Sequence, residues 1–144
     1  MSGSTAKNGY LVLLLHAHLP YVHHPEYDEF LEENWLYEAI SETYLPLLRM
    51  LDALERDNVP FKLALSMSPT LTTMLKDELL QTRYVRHLKR MLELADLELQ
   101  RTREDETFRP LAEMYHALYE RNLREFTEKY ERDITRGFDY YYKK

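Results

Sequence analysis

An apolar run that passes without a break into histidines constrains this chain more than any other feature. Residues 10–25 read Tyr-Leu-Val-Leu-Leu-Leu-His-Ala-His-Leu-Pro-Tyr-Val-His-His-Pro. The run Tyr10–Leu15 is too short for a typical helix and carries no polar alternation, so it is expected as a central strand covered on both faces. Side chains two apart on a strand point the same way, which puts His16 and His18 on one face. The strand would deliver both imidazoles to a site at its C-terminal end.

The rest of the chain surrounds that strand with helix. Residues 1–8 are small and polar and are expected to be a disordered tail, leaving residues 9–144 as the folded part. Pro25 and the acids Glu26, Asp28, Glu29, Glu32 and Glu33 make an irregular loop of His23–Glu33. Trp35 opens a helical pattern continued by Leu36, Ala39, Ile40 and Tyr44. Pro46 interrupts it, and a proline inside a helix costs about 3 kcal/mol unless it starts a new turn. A kink or break is therefore expected near Tyr44–Pro46, with a second helix to about Arg56. Phe61–Met67 alternates as a second strand, with Phe61, Leu63, Leu65 and Met67 on one face. A helix between two strands makes a β-α-β unit and a parallel pair. Ser68-Pro69 reads as a helix cap followed by proline at the first helical position. Helical patterns then span about Gln81–Arg103 and Leu111–Tyr130 and are expected to pair antiparallel. Gly137 is expected to mark a helix end.

The fold class is thus α/β, an opening β-α-β segment followed by a mostly helical stretch. A parallel sheet of two strands leaves both edges unpaired and cannot cover itself. A closed β/α barrel takes about 250 residues. The 144 residues are expected to be an incomplete part of a larger α/β domain, prone to self-association through its sheet edges.

Composition narrows the partners. A net charge of −6 argues against nucleic acid, because phosphate binding needs a basic face. No cysteine is present, which suits a reducing cytoplasm, and no stretch approaches the roughly 20 apolar residues of a membrane span. Twelve tyrosines suit a carbohydrate site or simple packing, and composition does not separate the two.

Read alone, H-x-H at a strand end leaves three roles open: metal ligands, donors to sugar hydroxyls, or packing beneath a loop. Trp35, the only tryptophan, either stacks on a sugar ring or staples the helix start. Ser66 and Ser68 read as capping residues, since a serine nucleophile needs a base and the sequence shows none beside them.

At His16-Ala17-His18-Leu19-Pro20-Tyr21, and again along Glu32–Leu48, the chain resembles glycoside hydrolase family 57. The likeness continues through Leu65–Leu71 and covers nearly all of residues 9–144. It is greatest for the branch that holds 1,4-α-glucan branching enzymes, some labelled α-amylases. The resemblance implies a (β/α)7 barrel and retaining chemistry on α-glucans by a glutamate nucleophile and an aspartate acid, with no metal or other cofactor. The family's His-Gln-Pro signature falls on His18-Leu19-Pro20, with leucine in place of glutamine as in the branching-enzyme group. By that match His16 and His18 line the sugar subsite beside the scissile bond, and Trp35 stacks near the glucan groove. The nucleophile and acid belong to later signatures that this chain does not contain. The implied partner is an α-1,4-glucan or maltooligosaccharide, bound by a segment that supplies no catalytic residue. Two other readings compete: a metal-dependent barrel hydrolase or deacetylase using His16 and His18, and a non-catalytic carbohydrate-binding remnant.

Overall fold

The computed structural model describes Gly9 and residues 11–144. The tail expected over residues 1–8, and Tyr10 at the head of the apolar run, lie outside the described residues. The elements follow in the order β1 (Leu14–Ala17), α1 (Glu33–Glu38), a π-helical turn (Ala39–Tyr44), α2 (Leu45–Arg56) and β2 (Ala64–Met67). After these come α3 (Pro69–Lys76), α4 (Glu78–Arg101), α5 (Arg109–Arg124), a second π-helical turn (Glu125–Lys129) and α6 (Thr135–Tyr142).

β1 and β2 pair in parallel, with Leu14 opposite Ala64, Leu15 opposite Leu65, His16 opposite Ser66 and Ala17 opposite Met67. The β-α-β unit is therefore present, but its first strand is displaced from the expected Tyr10–Leu15. Pairing starts only where β2 supplies a partner, so Leu11 and Val12 stand 94% and 80% exposed. The expected two-sided cover is also absent. Leu15 and Ala17 turn inward, whereas Leu14 and His16 lie exposed on a face that no helix among the described residues covers. The expected strand over Phe61–Met67 shortens to four residues, yet its alternation holds. Phe61, Leu63, Leu65 and Met67 all line one cavity against Phe138 and Tyr141 of α6.

The irregularity expected near Tyr44–Pro46 takes the form of a π-helical turn rather than a break, and the second helix runs to Arg56 as expected. Pro46 sits at the second position of α2, and the widened turn before it takes up the mismatch. The Leu45 N–H bonds back five residues to the Ile40 carbonyl, and Pro46 has no N–H to offer the turn. The Ser41 carbonyl is thereby deprived of both helical donors. Asn122 of α5, fully buried, donates its Nδ2 to that carbonyl at 3.4 Å and accepts from Arg49 through Oδ1. A proline in one helix thus accounts for a buried amide in another.

Ser68 caps α3, its Oγ accepting from the Leu71 N–H at 3.3 Å, with Pro69 at the first helical position as expected. Asp77 caps α4 in the same way, accepting from the Leu80 N–H at 2.9 Å. α4 and α5 run antiparallel: Asp96 meets His116 at 3.2 Å, and Tyr84 meets Phe126, in the π-helical turn that continues α5, edge to face at 4.7 Å between centroids. As one residue number rises along the pair, its partner's falls. The core lies where these helices meet α1, α2 and α3, around the fully buried Leu45, Leu48, Leu71, Tyr84 and Ile134.

Gly137 does not end a helix. It lies buried inside α6, where an added Cβ would meet Leu48 Cδ2 and Tyr130 Cε1 at 2.9 Å each. Gly137→Ala should therefore lower the melting temperature, although alanine is the better helix former by about 1 kcal/mol. Leu48 and Tyr130 are buried and cannot yield freely, and overpacking of this kind costs about 1–3 kcal/mol. A raised melting temperature would show that α6 can back away from α2.

Beneath the loop between β1 and α1, Arg83 of α4 pairs with Glu33 of α1, both almost wholly buried. Arg83 also donates to the carbonyls of His24, at 3.1 Å, and Tyr27, while the Tyr37 hydroxyl donates to the other Glu33 oxygen at 2.7 Å. Burial, then the Glu33 carboxylate, hold the Tyr37 phenol well above its ordinary pKa. Arg83→Ala strands the Glu33 charge, and denaturant unfolding should register a loss of about 3–5 kcal/mol. A loss below 1 kcal/mol would mean that water reaches Glu33.

Candidate functional site

The C-terminal ends of the two strands carry a small polar constellation on the uncovered face of the sheet. His16 and His18 stack with ring centroids 5.9 Å apart and planes within 8°, so the shared face expected from their spacing is present. His16 Nδ1 lies 2.6 Å from Ser66 Oγ, its neighbour across the sheet, the donor set by the imidazole tautomer. Reading Ser66 as a cap is therefore incorrect. That role belongs to Ser68, and Ser66 faces the histidine because parallel register puts residue 66 opposite residue 16. Sequence alone lacked that register, although both residues sit third in their strands.

With Nδ1 held by Ser66, His16 has Nε2 left for a ligand, and His18 offers both ring nitrogens. Such a surface can donate to and accept from hydroxyl groups. Among the described residues, no group of three or more histidine, aspartate or glutamate side chains is assembled to hold a metal ion.

The loop after β1 is held close by several distinct contacts. Val22 is buried, and its N–H points at Met74 Sδ at 3.3 Å. His23 lies 3.1 Å from the Tyr21 hydroxyl through Nδ1 and 3.7 Å from Asp77 Oδ2 through Nε2. The ring of His24 lies against Phe30, 3.7 Å between centroids. His23 and His24 thus fasten the loop, while His16 and His18 remain open to solvent.

Trp35 stands on α1, 50% exposed. A staple needs the residue before the N-cap position, and with Glu32 at that position of α1 it falls on Leu31, so Trp35 is not a staple. The ring contact of each strand-end imidazole is with the other rather than with Trp35.

A second concavity, about 610 Å³, opens between α1 and α4. Arg83, Arg86 and Arg90 reach it from α4 at spacings of three and four residues, a one-face pattern that sequence inspection did not pick out.

The architecture is that of an α/β protein that presents strand-end imidazoles on an open sheet face. The chain belongs to glycosyl hydrolase family 57, whose model matches residues 12–143. It is 37% identical over 98 residues to a 1,4-alpha-glucan branching enzyme of Thermococcus kodakarensis, covering 68% of this chain and 14% of that protein. A probable 1,4-alpha-glucan branching enzyme of Mycobacterium tuberculosis is 39% identical over 70 residues, 48% of this chain and 13% of that protein. Among solved structures, the α-amylase AmyC of Thermotoga maritima superposes with a TM-score of 0.85 at 45% identity, over 92% of this chain and 25% of that one. A family 57 branching enzyme of Pyrococcus horikoshii gives 0.80 at 31% identity, over 90% and 24%. The branching enzyme of T. kodakarensis, solved in complex with glucose, gives 0.77 at 28%, over 90% and 23%. The chain therefore spans about a seventh of its curated relatives and about a quarter of the solved ones. Among the described residues no helix is long and apolar enough to cross a membrane.

Ser66→Ala should change the balance of Nδ1–H and Nε2–H tautomers of His16, read from imidazole nitrogen shifts. Stability should hold within about 0.5 kcal/mol, because both side chains are exposed. An unchanged tautomer ratio would show that the hydroxyl does not set the ring.

Proposed function

We propose that residues 9–144 form the opening of a (β/α)7-type catalytic barrel in an α-glucan-active enzyme, and that branching of 1,4-α-glucan is its reaction. The observation that carries the reading is the family match across residues 12–143 combined with strand-end imidazoles on an uncovered face. His16 and His18 would bond sugar hydroxyls. Trp35 would stack on an apolar sugar face, for which its half-exposed indole is suited. Hydrolysis of the α-amylase type is the second reading, supported by the 45% identity to the T. maritima α-amylase.

Retaining glycosidases work with two carboxyl groups about 5–5.5 Å apart across the scissile bond. We assign neither the nucleophile nor the acid to a residue of this chain, and its part in the reaction is to hold the glucan. No cofactor enters the proposal. Titration with maltohexaose at millimolar concentration should shift the imidazole signals of His16 and His18 and alter Trp35 fluorescence. His16→Ala and His18→Ala should each weaken the response. The same chain incubated with amylose should leave its length and branching unchanged. Silent imidazoles would overturn the binding role, and robust turnover would overturn the absence of catalytic groups.

A further inference from the structure

We propose that the cleft between α1 and α4 is a second α-glucan site, separate from the strand-end histidines. The inference rests on the α-glucan reading for its choice of ligand. Its volume of about 610 Å³ lies within the roughly 300–1,000 Å³ of small-molecule sites.

Opposed walls give the cleft its chemistry. Glu38 and Glu42, both exposed, face it from the helical segment that carries α1, and Arg86 and Arg90 face it from α4. The Arg83–Glu33 pair is already closed on itself in the floor. Arg90 meets Glu29 only at 3.5 Å with both side chains well exposed, and Arg86 bonds the Asp28 carbonyl rather than a carboxylate. Glu38 and Glu42 have no cationic partner among the described residues. The cleft thus sets free acceptors opposite two guanidinium groups, each of which spends only part of its five N–H donors on the protein. Vicinal hydroxyls satisfy both together, since each O–H donates and accepts at once.

Between these walls lie flat and aliphatic surfaces. The rings of Tyr37 and His87 meet at 5.0 Å between centroids, and Tyr119 of α5 and Leu94 complete the lining. Tyr37 is itself buried behind His87, and the partly exposed His87, Tyr119 and Leu94 can receive the C–H faces of a pyranose. Burial first, then Arg90, lowers the His87 pKa below its ordinary value, so the ring is neutral near pH 7 and carries one donor and one acceptor.

The charge balance selects against anions. Five carboxylates, Asp28, Glu29, Glu33, Glu38 and Glu42, line the cleft against the guanidinium groups of Arg83, Arg86 and Arg90. A phosphorylated sugar would meet a net negative surface, whereas a neutral glucan meets balanced hydrogen-bonding groups.

Histidine-labelled protein separates the two sites in one titration, because His87 reports on the cleft and His16 and His18 on the strand ends. Maltohexaose should shift His87 as well as the strand-end pair, with an affinity of its own. Glu42→Ala, at an exposed position, should weaken the His87 response about tenfold, the scale of one hydrogen bond to a charged group. The His16 and His18 shifts and the melting temperature should stay as in the parent chain. A silent His87 beside shifted strand-end histidines would overturn the second site alone, and silence at all three would overturn the glucan reading with it. A His87 shift with glucose 1-phosphate but not with maltohexaose would overturn the neutral-sugar assignment.

Discussion

The buried pair of Arg83 and Glu33 is the constraint on which the rest of the structure depends. A guanidinium and a carboxylate taken out of water recover their lost hydration only through close partners. Here the partners are drawn from three segments. Glu33 begins α1, Tyr37 lies one turn along it, Arg83 projects from α4, and the two carbonyls come from the loop after β1. Satisfying one charge therefore docks three segments at once. The loop is thereby held against α4, and the pair forms the floor of the cleft between α1 and α4.

A second polar chain runs through the helical core. Ser41 Oγ and the Tyr84 hydroxyl lie 2.8 Å apart, and Asn122 bonds the Ser41 carbonyl. Arg49 joins Asn122 to Glu125, whose other oxygen accepts from Arg121 at 2.8 Å. Among the described residues, no buried side-chain nitrogen or oxygen lacks a partner. Because removing one partner from such a network exposes the others to the full cost of desolvation, these residues specify one arrangement of α2, α4 and α5.

The features legible in the sequence were those written in local chemistry. Ser68-Pro69 gave a helix start, the alternation from Phe61 to Met67 gave the facing of β2, and the two-residue spacing of His16 and His18 gave their common face. What stayed hidden depended on partners distant in the chain. Ser66 became the neighbour of His16 only through register across fifty positions. Gly137 looked like a helix terminator because its packing against Leu48 and Tyr130 leaves no local trace. The apolar run Tyr10–Leu15 suggested a buried central strand, yet burial is decided by the neighbours present, and β2 pairs with only its last two residues, Leu14 and Leu15. Arg83, Arg86 and Arg90 did carry a local signal, their spacing, but it was masked by the many other charges on α4.

The two parallel strands and the antiparallel helices differ sharply in how much chain must be closed to form them. Seven residues, 102–108, separate α4 from α5, whereas residues 18–63 separate β1 from β2. Loop-closure entropy makes the strand pairing costlier by about 1.5–2 kcal/mol on this ground alone. Each strand also contributes only four residues to the ladder. The hydrogen bond between His16 and Ser66 is thus among the contacts that ask the longest chain closure, and the helical hairpin among those that ask the shortest.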